Sequence, residues 1–150
     1  MVLAALLAAC DTGPVAQGPA DVVREFVERM QGLHGDPEHA RAAYELIWSK
    51  GRQNLGERAK RASAASGRQV APEEMLAPSR FSLRFEPKSF VVARTDGHWA
   101  EVTVTGEVPS REETTVSCVL EEGAWRVVLE LPPLAPIQKR FEDLETRPTK

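Results

Sequence analysis

The sequence predicts an α+β domain in which helices from the N-terminal half pack on a curved antiparallel sheet from the C-terminal half. Two observations carry that prediction. Apolar residues recur every three or four positions up to about Ser79 and every second position beyond it. The second half is also punctuated by hairpin-sized turns at Asp96-Gly97 and Glu121-Glu122-Gly123. Helices first and strands afterwards is the order in which helices segregate to one face of an antiparallel sheet. With 150 residues the chain supports one hydrophobic core. It divides into an apolar leader (1–9), a tether (10–19), a domain (20–134) and a tail (135–150).

From Ala20 to Leu33, the residues Val22, Val23, Phe26, Val27, Met30 and Leu33 mark one face of an amphipathic helix. Asp21 is placed to cap its start, and Gly32 and Gly35 to end it. Asp36-Pro37 opens a second helix, with a capping carboxylate followed by proline at the first helical position. Ala40, Ala43, Tyr44, Ile47 and Trp48 form its expected buried stripe. A third helix is expected from Asn54 to about Ala65 on the narrow seam Leu55, Ala59 and Ala62, stopped by Ser66-Gly67. Pro72 to Leu76 reads as one short helical turn closed by Pro78.

Phe81, Leu83 and Phe85 alternate with Ser82, Arg84 and Glu86, which predicts a strand interrupted by Pro87 and resumed at Phe90-Val91-Val92-Ala93. His98–Val108 alternates most clearly, with Ala100, Val102, Val104, Gly106 and Val108 on the side facing the core. Thr114–Leu120 and Ala124–Leu131 complete the expected meander, which Pro132-Pro133 closes. In the tail, Ile137, Phe141 and Leu144 are spaced for a short helix after Pro136.

The leader is the most specific part of the sequence. Val2 to Leu6 is far shorter than the roughly 20 apolar residues a permanent membrane span needs, and it fits the core of a secretory signal. Small residues then lead into a cysteine as Leu7-Ala8-Ala9-Cys10. That tetrapeptide resembles the lipobox of bacterial lipoproteins. The resemblance implies that the signal peptide is cut away, that Cys10 carries lipid, and that the protein is held at a membrane of the bacterial cell envelope, on its periplasmic or surface face. Asp11 to Pro19, rich in Gly and Pro, then reads as a flexible tether. The formal net charge is -3, with charges of both signs interspersed, and gives no ground for a nucleic-acid partner. Cys118 lies in an apolar strand with no neighbouring His, a setting that raises a thiol pKa, and is expected to be a buried structural residue.

The element order, together with the Val23–Met30 helix, Ala40–Trp48, His98–Val104 and Gly123–Val127, is similar to the nuclear transport factor two-like superfamily of cone-shaped α+β domains. The resemblance spans about residues 20–131. It implies a pocket between sheet and helices, and relatives that are isomerases or dehydratases. Tyr44, Trp48, Trp99 and Trp125 are the side chains that would shape such a pocket, their plainer role being core packing. Tyr44 could polarise a carbonyl oxygen if a carboxylate stood beside it, but no Asp falls at an inward sheet position. His34, His39 and His98 belong to no metal-binding spacing, so neither a metal nor a cofactor is expected. Arg58, Lys60 and Arg61 belong to a basic stretch opposed only by Glu57, which either lies on anionic head groups or is a solvated helix face. The expected function is a membrane-anchored, non-enzymatic binding or assembly module for an envelope protein or small ligand. The alternative is an isomerase-like enzyme using Tyr44. The open sheet face with Thr103, Thr105 and Val128 would be the surface for homodimerisation.

Overall fold

The computed structural model describes residues 17–34, 36–76, 81 and 83–136. Gly35, Pro78 and Ser82 lie outside the described residues, as do the lipobox with Cys10 and the tail residues Ile137, Phe141 and Leu144. Three helices pack with a four-stranded antiparallel sheet, as an α+β domain.

Helix α1 (Pro19–Gln31) buries Val22, Val23, Phe26, Val27 and Met30, the stripe expected from their spacing. Its cap differs from expectation. Gly18 is the N-cap, Pro19 is already helical, and Asp21 sits in the first turn with its carboxylate accepting the Gly18 N–H at 3.2 Å. The side chain reaches back to a donor that the first turn leaves orphaned. Helix α1 crosses the sheet and touches all four strands.

Helix α2 (Pro37–Glu45) starts as expected, with Asp36 accepting the Glu38 N–H at 2.9 Å. It stops before Ile47 and Trp48, which therefore do not belong to its stripe. Arg126 Nη1 donates to Glu45 O at 2.6 Å, and Leu46 and Ile47 make tighter 3₁₀-type bonds back to Ala43 and Tyr44. The next residues are drawn onto the sheet: Val127 N–H donates to Leu46 O at 2.8 Å and Trp48 N–H to Val127 O at 3.0 Å. Ile47 is thereby buried in a parallel bridge with Val127.

Helix α3 (Ser49–Ser66) begins five residues before the expected Asn54, because its N-terminal donors are met by a distant carboxylate, that of Glu121. It buries Gly51, Leu55 and Ala59 and ends at Gly67, whose φ of 70° is the left-handed cap that glycine adopts without strain. One 3₁₀ turn follows at Pro72–Met75.

The strand expected over Phe81–Phe85 does not form. Its alternation survives as a side-chain pattern, with Phe81, Leu83 and Phe85 packed on the core and Arg84 and Glu86 exposed, but no ladder accompanies it. Periodicity there reports burial, not pairing. The sheet consists of β1 (Ser89–Asp96), β2 (Trp99–Thr105), β3 (Glu113–Glu121) and β4 (Ala124–Val127), in the order β1-β2-β3-β4. Ala100, Val102 and Val104 of β2 are buried beside Cys118 and Val116 of β3, with Val127 of β4 opposite Cys118. Strand β2 ends sooner than expected: Gly106 N–H bonds to Glu112 O at 2.8 Å, the chain turns back, and Val108 is left 45% exposed. Strand β4 also ends early, at Val127 and not at Leu131.

Candidate functional site

The early end of β4 leaves a cleft in the described fold. Strand β3 has nine residues and β4 only four, so they pair only over Cys118–Glu121. Beyond Val127 the chain leaves the sheet for α3. Leu129 is buried and its carbonyl accepts the Trp48 indole N–H at 3.4 Å, while Arg58 and Arg61 donate to Pro132 O and Ala135 O. A depression of about 450 Å³ remains between β3 and the departing segment, walled by Phe81, Leu83 and Val128–Glu130 and floored by Thr114–Ser117.

The pleat determines which groups face this cleft. Leu120 N–H donates to His98 O at one end of the β2–β3 ladder, and Gly106 N–H to Glu112 O at the other. In an antiparallel ladder the residues that bond one neighbour alternate with those that bond the other. The even-numbered residues of β3 thus serve β2, and the odd-numbered ones point toward β4, as the 2.8 Å bond from Val128 N–H to Ser117 O confirms. Thr115 and Glu113 point the same way, and among the described residues nothing pairs with their backbone groups or with the Ser117 N–H. The cleft therefore offers backbone donors and acceptors and one carboxylate, Glu130, beside an apolar wall. These groups bind by hydrogen bonding; the lining holds neither a thiol nor an imidazole.

A smaller depression of about 240 Å³ lies across the Leu129–Glu130 ridge, lined by Trp48, Lys50, Gly51, Asn54 and Leu131. Trp48 is the one residue of Tyr44, Trp48, Trp99 and Trp125 that lines either depression, and its ring also carries Lys50 Nζ at 5.6 Å. Tyr44 is half-buried near the end of α2, packed on the core. Trp125 packs partly buried on the inner side of β4. Trp99 lies opposite Val119 on the outer face and is 38% exposed, because β2 alternates and Ala100 takes the inner side. The structure does not gather the four around one pocket.

Arg58, Lys60 and Arg61 do not form a uniform cationic face either. Arg58 and Arg61 are spent on the 132–135 segment, and Lys60 pairs with Glu57 at 2.7 Å, which holds the Glu57 carboxyl below its usual pKa. Farther along, Arg68 pairs with Glu74 at 2.9 Å. Cys118 is fully buried, and burial pushes its thiol up to about 12. Among the described residues no cluster of His, Cys, Asp and Glu could hold a metal ion, and no helix is long and apolar enough to cross a membrane.

The sequence did carry one sign of the cleft. Trp125 and Val127 keep period two, and then Val128 and Leu129 are apolar in succession, which breaks the alternation where the strand ends. No protein-family model, curated protein or solved structure matches this chain.

Proposed function

We propose that this chain is a lipid-anchored, non-enzymatic binding module of the bacterial cell envelope, tethered through Cys10 and binding through the cleft along β3. The carrying observation is that cleft, in which hydrogen-bonding backbone faces a walled depression with Glu130 as the one ionisable group of the lining. The reading rests equally on Leu7-Ala8-Ala9-Cys10 and the Gly/Pro-rich residues after it. Two or three acyl chains hold a protein at a membrane persistently where a single chain is marginal. The nuclear transport factor two-like assignment is part of the proposal, supported by the helices preceding an antiparallel meander and by α1 lying across all four strands. Intact mass of protein from its native host, with and without Cys10→Ala, tests the anchor. The wild-type chain gains lipid mass and enters the detergent phase, and the variant does neither. An unmodified full-length chain in both preparations overturns the reading.

A further inference from the structure

We propose that the open edge of β3 takes up an extended, lysine- or arginine-bearing segment of a partner protein, which adds to the sheet as a strand beside Glu113–Ser117. The proposal rests on the cleft's being the binding element, and three observations carry it.

The first is the unmet hydrogen bonding. Glu113 and Thr115 of β3 present their backbone N–H and C=O groups, and Ser117 its N–H, to the cleft at twice the residue repeat, about 6.6 Å, which is the spacing an added strand matches. The second is the state of the other edges. The outer edge of β4 is covered by Leu46–Trp48, and β1, with Val91 and Val92 exposed, has an irregularity between Val92 and Arg94 in its pairing with β2. Natural sheets blunt exposed edges in these ways because an open one recruits other chains. Over Glu113–Thr115 no such device is present among the described residues, and at Ser117 Val128 occupies only the carbonyl. The third is shape and charge. Phe81 and Leu83 with Val128–Glu130 wall the edge, so it sits in a recess that admits a single chain more readily than the edge of a second folded domain. Exposed Glu130 in the lining and exposed Glu113 on the edge strand favour a cationic side chain on the incoming segment.

The test uses the full chain and a labelled, end-blocked probe peptide, Lys-Val-Thr-Val-Thr-Val-Lys. The same peptide with alternate amides N-methylated serves as control, since methylation removes the donors while keeping the side chains. The unmodified peptide binds saturably, and at saturation the amide protons of Thr115 and Ser117 exchange about tenfold more slowly than in the free chain. The N-methylated peptide binds about tenfold more weakly or worse, as expected when backbone bonds carry the affinity. Thr115→Pro removes an N–H that β2 does not use, a position an edge strand tolerates, and it abolishes binding with far-UV circular dichroism unchanged. Glu130→Lys weakens binding several-fold and serves if the proline variant does not fold. Absence of peptide binding, or equal binding of the N-methylated peptide, overturns the proposal. So does slow exchange at Thr115 in the free chain: if independent of concentration, residues 137–150 or another segment of the chain already fill the edge, and if dependent on it, a second copy does. A lipid-free Cys10 found by mass defeats the anchor and leaves this result standing, so the two failures are separately readable.

Discussion

Glu121 caps helix α3 from 72 positions away: one carboxylate oxygen accepts the Ser49 N–H and the other the Ser49 hydroxyl, each at 2.8 Å. The helix starts with no capping side chain of its own, since Trp48 holds the N-cap position. Borrowed from the β3–β4 hairpin, the carboxylate meets an orphan donor and places negative charge at the positive end of the helix dipole. It therefore couples the start of α3 to the sheet. Glu121→Gln and Ser49→Ala should each cost about 1 kcal/mol, read from denaturant midpoints at constant slope. The double variant should cost less than the sum, because the hydroxyl–carboxylate bond is weakened by either change, whereas the bond from the Ser49 N–H is touched only at Glu121. Strict additivity would show that the pair does no joint work.

Two glycines in α3 should respond with opposite signs. Gly56 has nothing within 4 Å of the position a Cβ would take, so Gly56→Ala should stabilise by about 0.5–1 kcal/mol through helix propensity. At Gly51 the same Cβ would lie 2.6 Å from Ile47 Cγ2 and 2.8 Å from Trp48 Cδ1. Overpacking of this kind costs about 1–3 kcal/mol, more than the propensity gain returns. Gly51→Ala should therefore lower the thermal midpoint while Gly56→Ala raises it. A rise in both would mean that Trp48 does not lie against α3.

Cys118 links stability to alkaline pH. Burial raises its thiol to about 12 in the fold, from an ordinary value of 9.0. Below pH 9 both folded and unfolded chains keep the proton, and the thiol gives no pH dependence. Between pH 9 and 12 the unfolded chain releases it while the folded chain retains it, so stability falls as pH rises, by at most about 1.4 kcal/mol per unit. Cys118→Ala should be less stable at neutral pH because a fully buried side chain is lost, yet its stability should decline less steeply above pH 9. Parallel declines in the two proteins would place the alkaline sensitivity elsewhere.

The contrast between α1 and β4 shows what the sequence could and could not disclose. The face of α1 was legible because five buried residues recur at helical spacing, and one-dimensional periodicity is enough to mark a face. The early start of α3 was not legible, because its cap comes from a hairpin 72 residues away and leaves no local trace. The end of β4 left only a faint trace, the apolar pair Val128-Leu129. Trp125, Val127, Leu129 and Leu131 all alternate as a strand should, and only the competition of Trp48, Arg58 and Arg61 for the carbonyls of 129–135 pulls the chain off the sheet. The cleft is the consequence of that competition, so it escaped a reading that placed the pocket among aromatic residues. Burial pattern is written locally, whereas partner choice is decided between segments far apart in the chain.

The same competition makes three neighbouring cations of α3 unequal. Arg58 donates to Asn54 Oδ1 at 2.8 Å as well as to Pro132 O, and Arg61 donates to Ala135 O, so both fix backbone that has no ladder to hold it. Lys60 only pairs with Glu57 on the exposed side of its own helix, a class of contact that contributes a few tenths of a kcal/mol. Arg58→Met and Arg61→Met should each cost about 1 kcal/mol, as charge-assisted hydrogen bonds do when partly solvated. Lys60→Met should be close to neutral. Were all three substitutions neutral, the basic stretch would be a solvated helix face and the 132–135 segment would owe its course to something else. Were Lys60→Met alone to reduce binding to anionic vesicles, the one cation of the three not committed to this segment would be the membrane contact.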